Sequence, residues 1–226
     1  MELPEHVVGL PLEYEYEGRE LTVNPCAVET DRGLLLLDVG PPGSVDELET
    51  GLAEAGFDLG DVTTVLLTHQ DGDHAGALAA VQERTDAAAV ASERAAAVIS
   101  GREPPRGRDP GDDRYPPARV DLELDGGATF RTRAGPARVV PTPGHTPGHL
   151  SVFLPDARFL VAADALTANE EGLQGPNPGM SEDMDVALES AGRLAELGVG
   201  RTLCYHGGFV EAGNDRIAEV VRSARP

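Results

Sequence analysis

The chain has 226 residues, long enough for one α/β domain with a substantial core. Hydrophobic residues make up 40% of it, which argues against disorder, and no apolar run approaches the roughly 20 residues that span a bilayer. Against 39 acidic residues stand 18 basic ones, all arginine, for a net charge of −21; this excludes a basic nucleic-acid surface and fits a carboxylate surface adapted to high salt.

The start, Met1 to His6, has no basic region and no signal-peptide core, so a soluble, cytoplasmic protein is expected. Strands are expected at 7–10, 12–16, 21–29 and 34–39; Leu12 to Glu17 alternates apolar and acidic, as a strand with one wet face does. Gly18-Arg19 and Asp31-Arg32-Gly33 fit hairpin turns. Ser44 and Glu47 form the pattern of a capping box, opening a helix with Val45, Leu48, Leu52 and Ala55 on one face and Gly56 at its end.

A buried strand at 62–67 leads into Thr68-His69-Gln70-Asp71-Gly72-Asp73-His74, and a helix is expected from Ala75 to about Gln82 or Arg84. A short strand at 87–91 and a helix at 92–100 follow. Residues 101–118 form a Pro-, Gly- and Arg-rich loop whose arginines serve as salt-bridge partners or receive an anionic substrate, the first being preferred. Short strands at 120–124, 128–133 and 138–140 precede a proline-held loop, 141–149; a hairpin, 151–154 with 159–163, ends at Asp164. An irregular loop covers 165–180. Ser181 is expected to cap a helix to about Leu197; then come a strand at 202–205, His206 and a closing helix at 214–224. The expected class is α/β (α+β): two mixed sheets packed together and flanked by helices, in one domain. Cys26 and Cys204 fall in separate strands and are expected to be buried thiols.

Of six histidines, five (His69, His74, His145, His149 and His206) stand at or just after strand ends in Gly- or Pro-rich turns, and Asp164 also closes a strand. Such residues ligate Zn, Fe and Mn. Seven groups suit two ions: His69, Asp71 and His145 for one, Asp73, His74 and His206 for the other, with Asp164 between them. Two ions sharing a hydroxide acidify its parent water toward neutrality. His6 reads as a turn former. His149 reads as a supporting or turn residue, because Pro147 interrupts any helix that would pair it with His145. Tyr205 is a candidate donor to a developing oxyanion, though a core aromatic on a strand is the stronger reading.

Thr68 to His74, Thr142 to His149, Asp164 in Ala162-Ala163-Asp164, His206, and Asp38 in Leu36-Leu37-Asp38-Val39-Gly40 together resemble the metallo-β-lactamase-fold hydrolases, over nearly the whole chain and in the family's order. The resemblance implies a four-layer αβ/βα sandwich and hydrolysis by a hydroxide bridging two divalent metal ions. It assigns Asp73 to ligating the second ion and orienting that hydroxide, and Asp38 to supporting a ligand histidine. Asp71 departs from the family, which usually has histidine there. Zinc is the expected metal; iron or manganese is admitted because the Asp71 carboxylate is harder than imidazole and favours them more.

A small-molecule thioester or lactone, as in glyoxalase II or the lactonases, is the expected substrate. A true β-lactamase and a non-haem iron oxidoreductase such as a persulfide dioxygenase are the alternatives; a nuclease and a metal module without turnover rank lower. No nucleic-acid or membrane partner is expected, and a homodimer would use helices 181–197 and 214–224.

Overall fold

The computed structural model describes residues 2–16, 18–107, 109 and 114–224. The chain divides into two compact units: His6–Asp125, and Gly126–Pro226 together with Met1–Glu5.

The first unit contains β1 (Val7–Gly9), β2 (Leu12–Tyr16), β3 (Arg19–Val23), β4 (Cys26–Thr30), β5 (Gly33–Leu37) and α1 (Val45–Glu54). A 3-10 turn at Leu59–Asp61 leads to β6 (Val62–Leu66), α2 (Gly72–Ala75), α3 (Leu78–Arg84), β7 (Ala88–Ser92), α4 (Glu93–Ile99) and β8 (Leu122–Leu124). Six strands form a mixed sheet in the order β1-β4-β5-β6-β7-β8. Pairing is antiparallel from β1 to β5 and parallel from β5 to β8. The inner strands are buried, which is why Leu34 to Leu37 reads as an unbroken apolar run. β2 and β3 pair as a separate hairpin; Glu17, at the end of the alternating stretch, lies outside the described residues.

Three expectations change here. The strand expected over 21–29 is two strands, split at Asn24-Pro25, where proline has no N–H for a ladder. The Ser44–Glu47 capping box does not form. Ser44 Oγ donates backwards to the carbonyls of Val39 (3.2 Å) and Pro41 (2.8 Å), and Glu47 accepts instead from the Glu13 amide at 2.9 Å. The reciprocal box lies at Asp58 and Asp61 on the 3-10 turn. The helix expected from Ala75 starts earlier, at Gly72, and breaks at Gly76-Ala77, so Asp73 and His74 are helical.

The second unit contains β9 (Thr129–Thr132), β10 (Gly135–Pro141), β11 (Leu150–Leu154), β12 (Phe159–Ala163), β13 (Thr167–Asn169) and β14 (Gly172–Gln174). It continues with α5 (Met184–Leu194), β15 (Arg201–Cys204), β16 (Gly208–Val210) and α6 (Asn214–Ala224). Its sheet runs β16-β15-β12-β11-β10-β9, with β12 and β15 the parallel pair. Leu188, Ala191 and Leu194 of α5 and Ile217, Val220 and Val221 of α6 share a core with Phe153, Leu160 and Leu166. Burying each large apolar side chain of this kind contributes about 1.5–3 kcal/mol.

The loop expected to be irregular over 165–180 contains the β13–β14 hairpin. α5 is capped by Asp183, whose carboxylate accepts from the Val186 amide at 3.0 Å, two residues after the expected Ser181. The helix ends at Leu194, short of Leu197.

Candidate metal centre

In the first unit the site grows from the carboxyl ends of parallel strands, where open α/β sheets place ligands. β5 runs into Asp38, which the chain holds at φ 62, a left-handed conformation uncommon outside glycine. Its buried carboxylate accepts from the Thr68 amide (2.7 Å), from Thr68 Oγ1 (2.7 Å) and from His74 Nδ1 (2.8 Å).

These bonds fix the tautomers. His74 donates through Nδ1 to a carboxylate. The single Thr68 hydroxyl proton goes to Asp38, so His69 Nδ1, at 3.2 Å from Thr68 Oγ1, is also a donor. Both neutral rings therefore carry their lone pairs on Nε2. His69 Nε2 lies 3.6 Å from Asp71 Oδ2 and His74 Nε2 lies 3.9 Å from Asp73 Oδ2. The ring centroids are 3.9 Å apart, so two His–Asp pairs stand side by side.

In the second unit β12 ends at Ala163, held at φ 48 beside a register shift against β15. This kink re-aims the chain into Asp164. His145 Nε2 and His206 Nε2 approach the same oxygen, Asp164 Oδ2, at 3.4 and 3.5 Å. The Asp164 amide donates to His149 Nε2 at 3.0 Å. That makes Nδ1 the protonated nitrogen of His149, and it donates to Thr142 Oγ1 at 2.8 Å. Thr142 then donates to Ser151 Oγ (2.9 Å), which donates to the Ala162 carbonyl (2.9 Å). His149 thus uses both ring nitrogens within the protein, and it braces the backbone of Asp164.

Two glycines make this unit's loops feasible. A Cβ on Gly144, which has φ +131, would collide with the backbone nitrogen of Ala187, so only glycine lets the His145 loop lie against the start of α5. A Cβ on Gly207, at φ +99, would collide with the Ala168 carbonyl oxygen. There the His206 carbonyl accepts from the Ala168 amide at 2.9 Å, tying His206 to β13.

Tyr205 is buried, as a core aromatic is, and its ring stands edge-on to that of His206 at 5.5 Å. β15 stops at Cys204, so strand alternation does not separate the two side chains. His6 occupies a turn and lies 3.3 Å from Glu29.

The sequence marked residues 101–118 as a Pro-, Gly- and Arg-rich loop whose arginines are salt-bridge partners by preference. Arg108 and residues 110–113 lie outside the described residues. Arg102 pairs with Glu123, and Arg119 with Asp121. Arg106 Nη2 bonds Asp71 Oδ2 at 3.0 Å. Tyr115 donates its hydroxyl to the Gln70 carbonyl at 2.6 Å. Burial raises its pKa above the usual phenol range, opposed by Arg114 and helped by Asp71. Neither Arg106 nor Tyr115 has a local spacing that marks it; both reach the site through a loop about 35 to 45 residues away in sequence.

The donor set fits a divalent cation: only imidazole nitrogens and carboxylate oxygens, in pairs 3.4 to 3.9 Å apart. The two cysteines take no part. Burial, then the field of Asp38, pushes the Cys26 thiol up, and burial, then the field of Asp164, does so for Cys204.

The model of the metallo-beta-lactamase superfamily matches residues 18–206. The chain is 30% identical over 214 residues to the "Probable metallo-hydrolase YflN" of Bacillus subtilis (strain 168), covering 76% of this chain and 75% of that protein. It is 31% identical over 154 residues to the hydroxyacylglutathione hydrolase of Rhodopseudomonas palustris (strain BisB5), covering 65% of this chain and 52% of that one. It therefore spans about half the length of that relative. A solved metallo-beta-lactamase family protein from Thermus thermophilus superposes with a TM-score of 0.77 at 25% identity, covering 98% of this chain and 80% of that one. The α/β class expected from the sequence holds. The chain belongs to the metallo-beta-lactamase superfamily, and it is a hydrolase of that family.

Proposed function

We propose that the chain hydrolyses a small-molecule thioester, with its two donor clusters acting together as one binuclear zinc centre in a single catalytic domain. The observation that carries the metal reading is the convergence of His145 and His206 on one oxygen of Asp164, at 3.4 and 3.5 Å, together with the paired His69–Asp71 and His74–Asp73 of the other unit. One carboxylate oxygen between two imidazoles suits a carboxylate shared by two ions. His69, Asp71 and His145 would hold one ion, Asp73, His74 and His206 the other, and Asp164 both. When bound, such ions polarise a carbonyl and lower the pKa of water toward neutrality.

The chain's own residues supply the rest. Asp38 and Thr68 keep protons on Nδ1 of His74 and His69, which leaves each Nε2 a ready donor. His149 holds the Asp164 backbone. Asp73, half-buried on α2, is the carboxylate assigned to accepting a hydrogen bond from the attacking water and so aiming it.

Thioester is preferred among carbonyl substrates because of the likeness to a hydroxyacylglutathione hydrolase, 31% identical over 154 residues. The acidic composition supports work in a high-salt cytoplasm. A hydrolysis panel of thioesters, lactones, β-lactams and phosphodiesters in high salt tests the reading. Thioester cleavage is expected to be fastest and to disappear in His69→Ala and His145→Ala. Oxygen uptake with a persulfide, and no hydrolysis, would replace it with the dioxygenase.

A further inference from the structure

Asp71 sits where a neutral imidazole is usual in this family, and it adds a negative charge to a turn that already holds Asp73 and neighbours Asp38. The structure gives that charge a partner. Arg106 Nη2 lies 3.0 Å from Asp71 Oδ2, the same oxygen that lies 3.6 Å from His69 Nε2. Neither member of the pair is fully solvated; the Arg106 side chain is 29% exposed and that of Asp71 is 18% exposed. A charge-assisted bond so placed is shorter and stronger than one between neutral groups.

The loop carrying Arg106 is fastened on its far side. Arg114 Nη2 donates to the Val98 carbonyl at 2.7 Å and Nε donates to the Tyr115 carbonyl at 3.1 Å. Its guanidinium also lies over the Tyr115 ring, 4.9 Å from the centroid. Tyr115 in turn holds the Gln70 carbonyl, one residue before Asp71. The segment thus grips the metal-binding turn twice, once by a neutral hydrogen bond to the backbone and once by a cation on Asp71.

We propose that Arg106 is a positioning residue for Asp71: it offsets the carboxylate's charge and fixes its orientation, so that Asp71 acts toward a metal like the neutral ligand it replaces. This rests on Asp71 being a metal ligand, as in the function proposed above. A bare carboxylate is a hard anionic donor that favours manganese relative to zinc; one already accepting a bond from guanidinium through Oδ2 presents less charge to an ion. Arg106 therefore sets metal preference rather than substrate chemistry.

The test is the ratio of zinc to manganese affinity, measured by chelator competition on the full chain in high salt, with circular dichroism to check folding. Arg106→Gln is expected to lower the zinc-to-manganese ratio about tenfold, the lower end of what outer partners of metal ligands are worth. Arg106→Lys, which keeps the cation, is expected to stay within about twofold of the wild type. In an Asp71→His background the ratio should no longer respond to Arg106→Gln. An unmoved ratio in folded Arg106→Gln overturns the proposal, and so does an equal shift in the Asp71→His background. A shifted ratio without thioester cleavage supports this inference and sinks the proposed substrate; cleavage with an unmoved ratio does the reverse.

Discussion

In the first unit a buried carboxylate orients two histidines of the candidate metal centre; in the second a file of neutral hydrogen bonds does the corresponding work. Asp38 accepts three bonds and reaches both rings, one directly and one through Thr68. In the second unit a single direction of donation runs from the Asp164 amide through His149, Thr142 and Ser151 to the Ala162 carbonyl, and so holds the backbone of Asp164. Where the candidate ligands are paired imidazoles, a charge strengthens their basicity as it orients them. Where the candidate ligand is itself a carboxylate, a neutral brace avoids placing a second anion beside it.

The difference predicts unequal responses to mutation. The largest is expected for Asp38→Ala, which strips three buried donors of their acceptor; about 3 kcal/mol of stability should be lost in urea unfolding, together with most bound metal. Thr142→Val interrupts the neutral file and keeps the shape. About 1–2 kcal/mol should be lost, and metal binding should weaken less than in Asp38→Ala. Equal losses in the two variants would break the comparison.

The smallest effect concerns the thiols, one in each unit. Both are raised above the ordinary range by burial, so they stay protonated when folded. Below about pH 8.5, the unfolded thiol value, both states hold these protons and stability is unaffected. Above it the unfolded chain releases them, and stability falls by up to about 1.4 kcal/mol per thiol per pH unit. A thiol reagent at neutral pH should label Cys26 and Cys204 only on unfolding, at the same rate. Faster labelling of one would show that its unit opens first.

Much of this was legible in the sequence for a physical reason. The inner strands are buried on both faces, so Leu34 to Leu37 and Phe159 to Ala163 are apolar runs that end abruptly at Asp38 and Asp164. The ligand candidates His69, Asp71, Asp73 and His74 lie within one stretch of six residues, where spacing alone marks them. What escaped was tertiary. Ser44 has the composition of a cap, yet its hydroxyl turns back to Val39 and Pro41 because the preceding turn offers nearer acceptors. The β13–β14 hairpin is three residues a side, too short for its alternation to show. Arg106 is one arginine in a run of them; only the folded loop distinguishes it by placing it on Asp71.

The most direct test of the account is the metal content of the folded wild-type chain, set beside that of Asp164→Ala. The account predicts two divalent ions per chain, falling below one when the oxygen shared by His145 and His206 is removed. One ion or fewer in the wild type, or two retained in Asp164→Ala, would contradict it.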